Sequence, residues 1–272
     1  MPGRSSPTSP TTSDLERTTV GLHLRACRPQ VPSRPTRDGS SPLSDATPDM
    51  SLSTVQAAGR LEQIGSTEFD QLRSSYGAVA IDVGTGDGRF AYQLARSRPA
   101  TLVIGTDPVA ANMADVARRA SRKPSRGGAP NLLMVQAAAE QPPPELVGSA
   151  SALFVHLPWG RLLEGVVLGD AAVIGGLAAL CAQGAEVTLT LNARIWEHDL
   201  PGRFRDLPAP TLAHVGEVVA PAFAAAGIVL GPPRHLGDDE MRSLQTTWAK
   251  RLSRGCNQPL FLQVDGRFAG VG

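Results

Sequence analysis

Between residues 78 and 191, short apolar runs alternate with segments whose apolar positions recur three and four residues apart. The runs at 78–83, 102–106, 132–136, 152–157 and 186–191 predict strands, and the periodic segments at 89–97, 109–121 and 171–182 predict helices. Strands apolar on both faces, with helices between them, imply a mostly parallel sheet with helices on both faces. The C-terminal third continues with a helix over 215–226, a short strand at 228–230, a helix over 238–252 and a last strand at 260–264. No internal repeat is present.

The first 49 residues do not share this pattern. "GRSSPTSPTTS" and "RPQVPSRPTRDGSSP" are dominated by Pro, Ser, Thr and Arg, so burial cannot offset the entropy of ordering them. The expected organisation is a disordered tail over 1–49 and one folded domain over 50–272, in which 50–77 form an N-terminal extension. Met50 opens the change of character and is an expected start of translation; a native peptide from before it would overturn that expectation.

Composition narrows the function classes. The 272 residues are 42% hydrophobic and 19% charged, enough for one substantial α/β core. A formal net charge of +1 gives no global field, so a nucleic-acid partner has to be met by local basic patches. Cys27, Cys181 and Cys256 are odd in number and lack metal-ligand spacing, which argues against a disulfide framework and a metal site and for a reducing cytoplasm. Nothing in the chain marks export or membrane insertion.

The chemistry starts at "IDVGTGDGRF", where Gly84, Gly86 and Gly88 follow the first strand directly and stand between Asp82 and Asp87. In open α/β sheets that turn is a ligand site. A dinucleotide site wants Gly-x-Gly-x-x-Gly and a helix N-terminus aimed at a pyrophosphate; here the third glycine comes one residue early. Two acids repel a pyrophosphate but suit the ammonium and sulfonium of S-adenosylmethionine. Asp107, ending "LVIGTDP", is placed to take both hydroxyls of a ribose, and Ala139 with Glu140, in "VQAAAEQ", to meet an adenine ring. The plain alternative makes the glycines a tight turn and the acids helix caps.

Trp159, in "FVHLPWG", follows the fourth strand where it opens beside a cofactor's methyl group, and Pro158 stiffens it as a platform for a base. Trp248 falls in line with Met241, Leu244 and Leu252 at helical spacing, so periodicity alone makes it a core residue. Trp196 carries no evident role. Arg118, Arg119, Arg122, Lys123 and Arg126 form one basic cluster, and Lys250, Arg251 and Arg254 a second. Each is either a solvated face or a phosphate footprint.

Taken together, "DVGTGDGR", "IGTDP", "RKPSRGGAPNLLMVQAAAEQPPPEL", "LPWGRLLEGV" and "TTWAKRLSRG" resemble the 16S rRNA adenine N1 methyltransferases of the aminoglycoside-resistance type, the kanamycin and apramycin resistance enzymes. The resemblance runs from about residue 59 to 268. It implies a Rossmann-like class I S-adenosylmethionine-dependent methyltransferase with a short N-terminal β-hairpin, acting in the cytoplasm on one decoding-site adenine of 16S rRNA within the 30S subunit. A monomer is expected, with no DNA or membrane partner and no metal. By the same resemblance Asp82, Gly84 and Gly86 line the methionine part of the cofactor, Asp107 holds its ribose, and Ala139 and Glu140 meet its adenine. Trp159 and Trp248 clamp the flipped base, Thr246 or Thr247 supports the adenine or the cofactor, and Arg122, Lys123, Arg126, Lys250 and Arg251 bind rRNA; backbone atoms near Pro158 are expected to orient the base's edge, and Arg254 to add to the rRNA contacts. Two features depart from the family: "CNQPLF" replaces further basic residues after "KRLSRG", and His156 precedes "LPWG" where an apolar residue is usual. The competing readings are a methyltransferase for a small molecule or another RNA position, and a nucleotide-binding module without catalysis.

Overall fold

The computed structural model describes residues 51–197, 202–237, 240 and 261–270. The tail over 1–49, Met50 and nearly all of the helix expected over 238–252 lie outside them. Strands β1 (Ser51–Val55) and β2 (Leu61–Gly65) form an antiparallel hairpin, and β1 joins the main sheet through Thr54 opposite Val135. Helix α1 (Ser66–Ser74) buries Phe69. The chain then alternates: β3 (Ala78–Val83), α2 (Arg89–Ser97), β4 (Thr101–Asp107), α3 (Ala110–Ala120), β5 (Leu132–Gln136), β6 (Ala150–His156), α4 (Gly160–Leu168), α5 (Ala171–Leu180) and β7 (Cys181–Asn192). Helix α6 (Leu212–Ala225), widened to a π turn over Val215–Val219, precedes β8 (Ile228–Leu230), β9 (Arg234–His235) and β10 (Phe261–Phe268).

The sheet order is β2-β1-β5-β4-β3-β6-β7-β10-β8, with β9 beside β10. Its centre, β5-β4-β3-β6-β7, is parallel, and the flanking pairs are antiparallel. Alternate residues of β3 divide the core: Val79, Ile81 and Val83 join α1, α4, α5 and α6 on one face, while Ala80 packs with Tyr92 of α2 and Met113 of α3 on the other. The chain builds outward from β3 through β4 to β5, then returns to place β6 on its other side. That reversal opens a crevice at the carboxyl ends of β3 and β6.

Three elements differ from the expected pattern. Helix α4 was not among the expected elements, although Leu162, Leu163, Val166 and Val167 bury one helical face; Gly169 at φ 70° ends it. Helix α5 stops at Leu180, where Cys181 turns extended, and β7 runs from there for 12 residues. Gln183 and Gly184 disguise its first half, where the pairing with β6 shifts register. Strand β10 continues to Phe268 because it pairs with β7 over seven positions and exposes one face, burying Leu262 and Val264 but not Asp265. Among the described residues no single helix is long and apolar enough to cross a membrane.

Candidate functional site

The glycine turn after β3 sits at the crevice. Gly84, Gly86 and Gly88 hold φ of 70°, 57° and 73°, a region that side chains with a Cβ rarely occupy. A Cβ on Gly84 would lie 2.6 Å from Leu162 Cδ2, whereas at Gly86 nothing lies within 4 Å. The turn is strapped to β4: Thr85 N donates to Thr106 O (2.9 Å), and Gly86 N donates to the Asp107 carboxylate (3.1 Å). Helix α2 then starts at Gly88 without a side-chain cap.

Two carboxylates flank the turn. Asp82 is 2% exposed and accepts a 2.5 Å bond from Thr85 Oγ1. Burial pushes its pKa up to about 7, against the Thr85 bond, and the charges of Asp107 and Asp87 add to the rise. Asp107 is also raised by burial, but the N–H groups of Val109 and Gly86 and the Asn112 amide hold it back. Its Oδ1 accepts from Val109 N (2.9 Å) and Asn112 Nδ2 (3.3 Å). Asp107 thus organises the loop as well as facing the crevice. Asp87 pairs with Arg89 at 3.3 Å.

Asp82, Gly84, Gly86, Asp107, Ala139, Glu140 and Trp159 all line one cavity of about 800 Å³, within the range of small-molecule sites. Ala139 and Glu140 lie in the turn after β5, which α5 approaches closely: a Cβ on Gly176 would lie 1.9 Å from Ala139 O, whereas Gly175 faces open space. Gly176→Ala should therefore lower stability by about 1–3 kcal/mol through overpacking and shift the Ala139–Glu140 turn. Gly175→Ala, in the same helix, should be neutral or stabilising by up to about 1 kcal/mol. Equal melting shifts for the two would show that the close approach is not maintained in solution.

At the other end of the cavity β6 terminates in His156, and Leu157 takes φ 51°, the one positive φ among described non-glycine residues. Trp159 projects from this turn, 51% exposed. Its ring meets buried Phe204 edge-on, with centroids 4.8 Å apart. Trp196, without a role in the sequence reading, donates from Nε1 to Leu207 O at 2.8 Å and so fastens the segment that carries Phe204. Pro158 is buried and is absent from the cavity wall, where Leu157 takes its place.

Arg122, Lys123 and Arg126 are exposed on the loop after α3, folded tightly through Gly128 N to Lys123 O (3.1 Å). They are not beside the cavity. Helix α3 starts at the crevice and, at 1.5 Å per residue over 11 residues, carries this loop roughly 16 Å toward the opposite edge of the sheet. Of the neighbouring arginines, Arg118 pairs with Asp115 (2.7 Å) and Arg119 covers the Tyr92 ring. Trp248, Thr246, Thr247, Lys250, Arg251 and Arg254 lie outside the described residues. Sequence reasoning overlooked Thr85, Asn112 and Phe204; the first two were legible as polar neighbours of the acids, the third was not.

The cavity thus brings together a buried acid, a second acid held by three donors, the Ala139–Glu140 turn and an exposed indole. The bare space over Gly86 and the two acids fit S-adenosylmethionine.

A protein-family model described as NpmA, 16S rRNA (adenine(1408)-N(1))-methyltransferase, matches residues 55–266. The enzymes so named from Streptoalloteichus tenebrarius and Streptoalloteichus hindustanus are 39% and 40% identical over 71% and 76% of this chain, covering 88% and 95% of their own lengths. The structure of the 16S rRNA methyltransferase KamB superposes with a TM-score of 0.73 at 36% identity, over 79% of this chain and 99% of that one. A variant of the Catenulisporales acidiphilia enzyme, crystallised with its cosubstrate SAM, gives 0.73 at 35% identity, over 79% and 96%.

Proposed function

From the premise that this chain belongs to the 16S rRNA (adenine(1408)-N(1))-methyltransferase family, we propose that it methylates N1 of the decoding-site adenine within the 30S subunit, acting in the cytoplasm as a monomer and conferring aminoglycoside resistance. It is an S-adenosylmethionine-dependent rRNA methyltransferase. The observation that supports the proposed target most directly is the placement of an exposed tryptophan on the same cavity as the acidic glycine turn. Primer extension on 16S rRNA from cells expressing the chain tests it: an N1 methyl blocks Watson–Crick pairing and stops the polymerase at that adenine. Read-through there, with methyl transfer to a small molecule, would sink the proposal.

S-adenosylmethionine, when bound, supplies an electrophilic methyl group on a sulfonium. Adenine N1 has an in-plane lone pair and no proton to lose, so the chain has no need of a strong general base and its work is positioning. Asp82 faces the cofactor's cationic end, Asp107 its ribose, and Ala139 with Glu140 its adenine. Trp159 and Trp248 hold the target base, extruded at a cost of a few kcal/mol, while the Leu157–Pro158 turn orients its edge. Arg122, Lys123, Arg126, Lys250, Arg251 and Arg254 contact rRNA phosphates, and Thr247 supports the cofactor side.

Two expectations arise from these assignments. Asp82 binds a proton more tightly in the folded protein than in the unfolded chain, so its stabilising contribution is full below pH 3.8 and is lost as the pH rises through about 7. A cation beside it favours the ionised form. The affinity for S-adenosylmethionine, measured by calorimetry, should therefore rise between about pH 5.5 and 7.5 by up to tenfold per unit, and Asp82→Asn should flatten the profile. A flat wild-type profile would remove Asp82 from the cationic end. Separately, because the basic loop after α3 stands away from the cavity, the rRNA footprint has to span a folded surface. Methylation should fall steeply with salt and be negligible on a short adenine-containing oligonucleotide; comparable rates on oligonucleotide and 30S subunits would exclude this footprint.

A further inference from the structure

His156 lines the cavity, and no assignment above uses it. It ends β6 and is 9% exposed. Its ring is fixed on three sides. Nδ1 lies 2.9 Å from Thr190 Oγ1 on β7, Phe154 stacks beneath it at 26° with centroids 5.6 Å apart, and Phe90 meets it edge-on at 4.3 Å. Nε2 is buried and has no hydrogen-bond partner among the described residues, a condition that a native structure seldom leaves without a use. β6 lies between β7 and β3. The Nδ1 bond is made to β7, and Nε2 lies across the ring from it.

The cavity's charge indicates what this nitrogen meets. Among the described residues, Asp82, Asp87, Asp107 and Glu140 line it, against one cation, Arg161, which is engaged by Asp170 at 2.7 Å. Such a wall suits the ammonium and sulfonium of S-adenosylmethionine and repels its α-carboxylate, which needs a donor near the same end. We infer that His156 is that donor: Thr190 Oγ1–H donates to Nδ1, the imidazole proton stays on Nε2, and Nε2–H donates to the cofactor's α-carboxylate once the Phe90 side chain turns aside. Burial holds the imidazole pKa down to about 4, so the ring is neutral at working pH and adds a directed hydrogen bond instead of a charge. The inference rests on the methyltransferase reading and adds a carboxylate subsite to it.

Calorimetry with S-adenosylmethionine and with its decarboxylated analogue separates the two. His156→Phe keeps an aromatic ring between Phe90 and Phe154 and removes the donor. It should weaken S-adenosylmethionine about 10-fold, the scale of one hydrogen bond to a charged group, and change the affinity for the analogue less than twofold. Thr190→Val, which leaves the imidazole but not the bond that sets its tautomer, should weaken S-adenosylmethionine by a smaller factor and spare the analogue. Should His156→Phe fail to fold, Thr190→Val alone carries the test. Equal S-adenosylmethionine affinity in wild type and variants, or equal losses for both ligands, overturns the inference. Failure of the wild type to bind S-adenosylmethionine overturns the methyltransferase reading instead.

Discussion

Trp159→Ala should lower methyl transfer to 30S subunits by roughly 10²-fold while leaving the melting temperature and the affinity for S-adenosylmethionine close to wild type. If Trp159 holds the extruded adenine as proposed, the size follows from base–aromatic stacking, worth about 1–3 kcal/mol per ring. Stability is spared because half of the indole is already in water and little apolar area leaves the core with it. Trp159→Phe should recover part of the rate, since a flat π face is retained and Phe204 still braces the position. A variant that melts far below wild type, or one that transfers methyl groups at the wild-type rate, would end the platform role. Trp248→Ala is the companion measurement: a collapse of several kcal/mol in stability returns it to the core stripe that its helical spacing suggests, and rate loss without unfolding makes it the second face of the clamp.

The interior of the sheet was legible because its strands are buried on both faces. The runs at 78–83 and 132–136 coincide with β3 and β5, since a strand between two helix layers is mostly apolar, and the polar residues Asp82 and Gln136 fall near the carboxyl ends. The glycine turn was legible for a related reason, as three positive φ values in five residues admit few alternatives to glycine. What remained hidden depends on pairs distant in sequence. That Asp107 accepts the Gly86 N–H, that α5 needs a bare Gly176 to reach Ala139, and that Phe204 backs Trp159 are all facts of packing. The basic loop shows the opposite limit: its charges were plain, but only the direction of α3 shows that they stand away from the cavity. Pro158 was singled out for its stiffness, yet the strained residue in that turn is its neighbour Leu157.

Asp107→Ala should weaken S-adenosylmethionine by about 2–3 kcal/mol, or roughly 30- to 150-fold, the scale of two charge-assisted hydrogen bonds to ribose hydroxyls. The structure adds a complication that the sequence concealed. The same carboxylate accepts from Gly86 N, Val109 N and Asn112 Nδ2, so its removal also loosens the glycine turn and the start of α3, at about 1 kcal/mol of stability. Loss of affinity by itself could come from either source. A double cycle separates them: titrate wild type and Asp107→Ala with S-adenosylhomocysteine and with its 2′-deoxy analogue. If Asp107 holds the ribose, deleting the hydroxyl weakens binding to wild type by about 10-fold and hardly affects the variant, because the partner of that hydroxyl is already gone. If Asp107 only shapes the loop, both proteins lose the same factor, and the ribose belongs to another residue of the cavity.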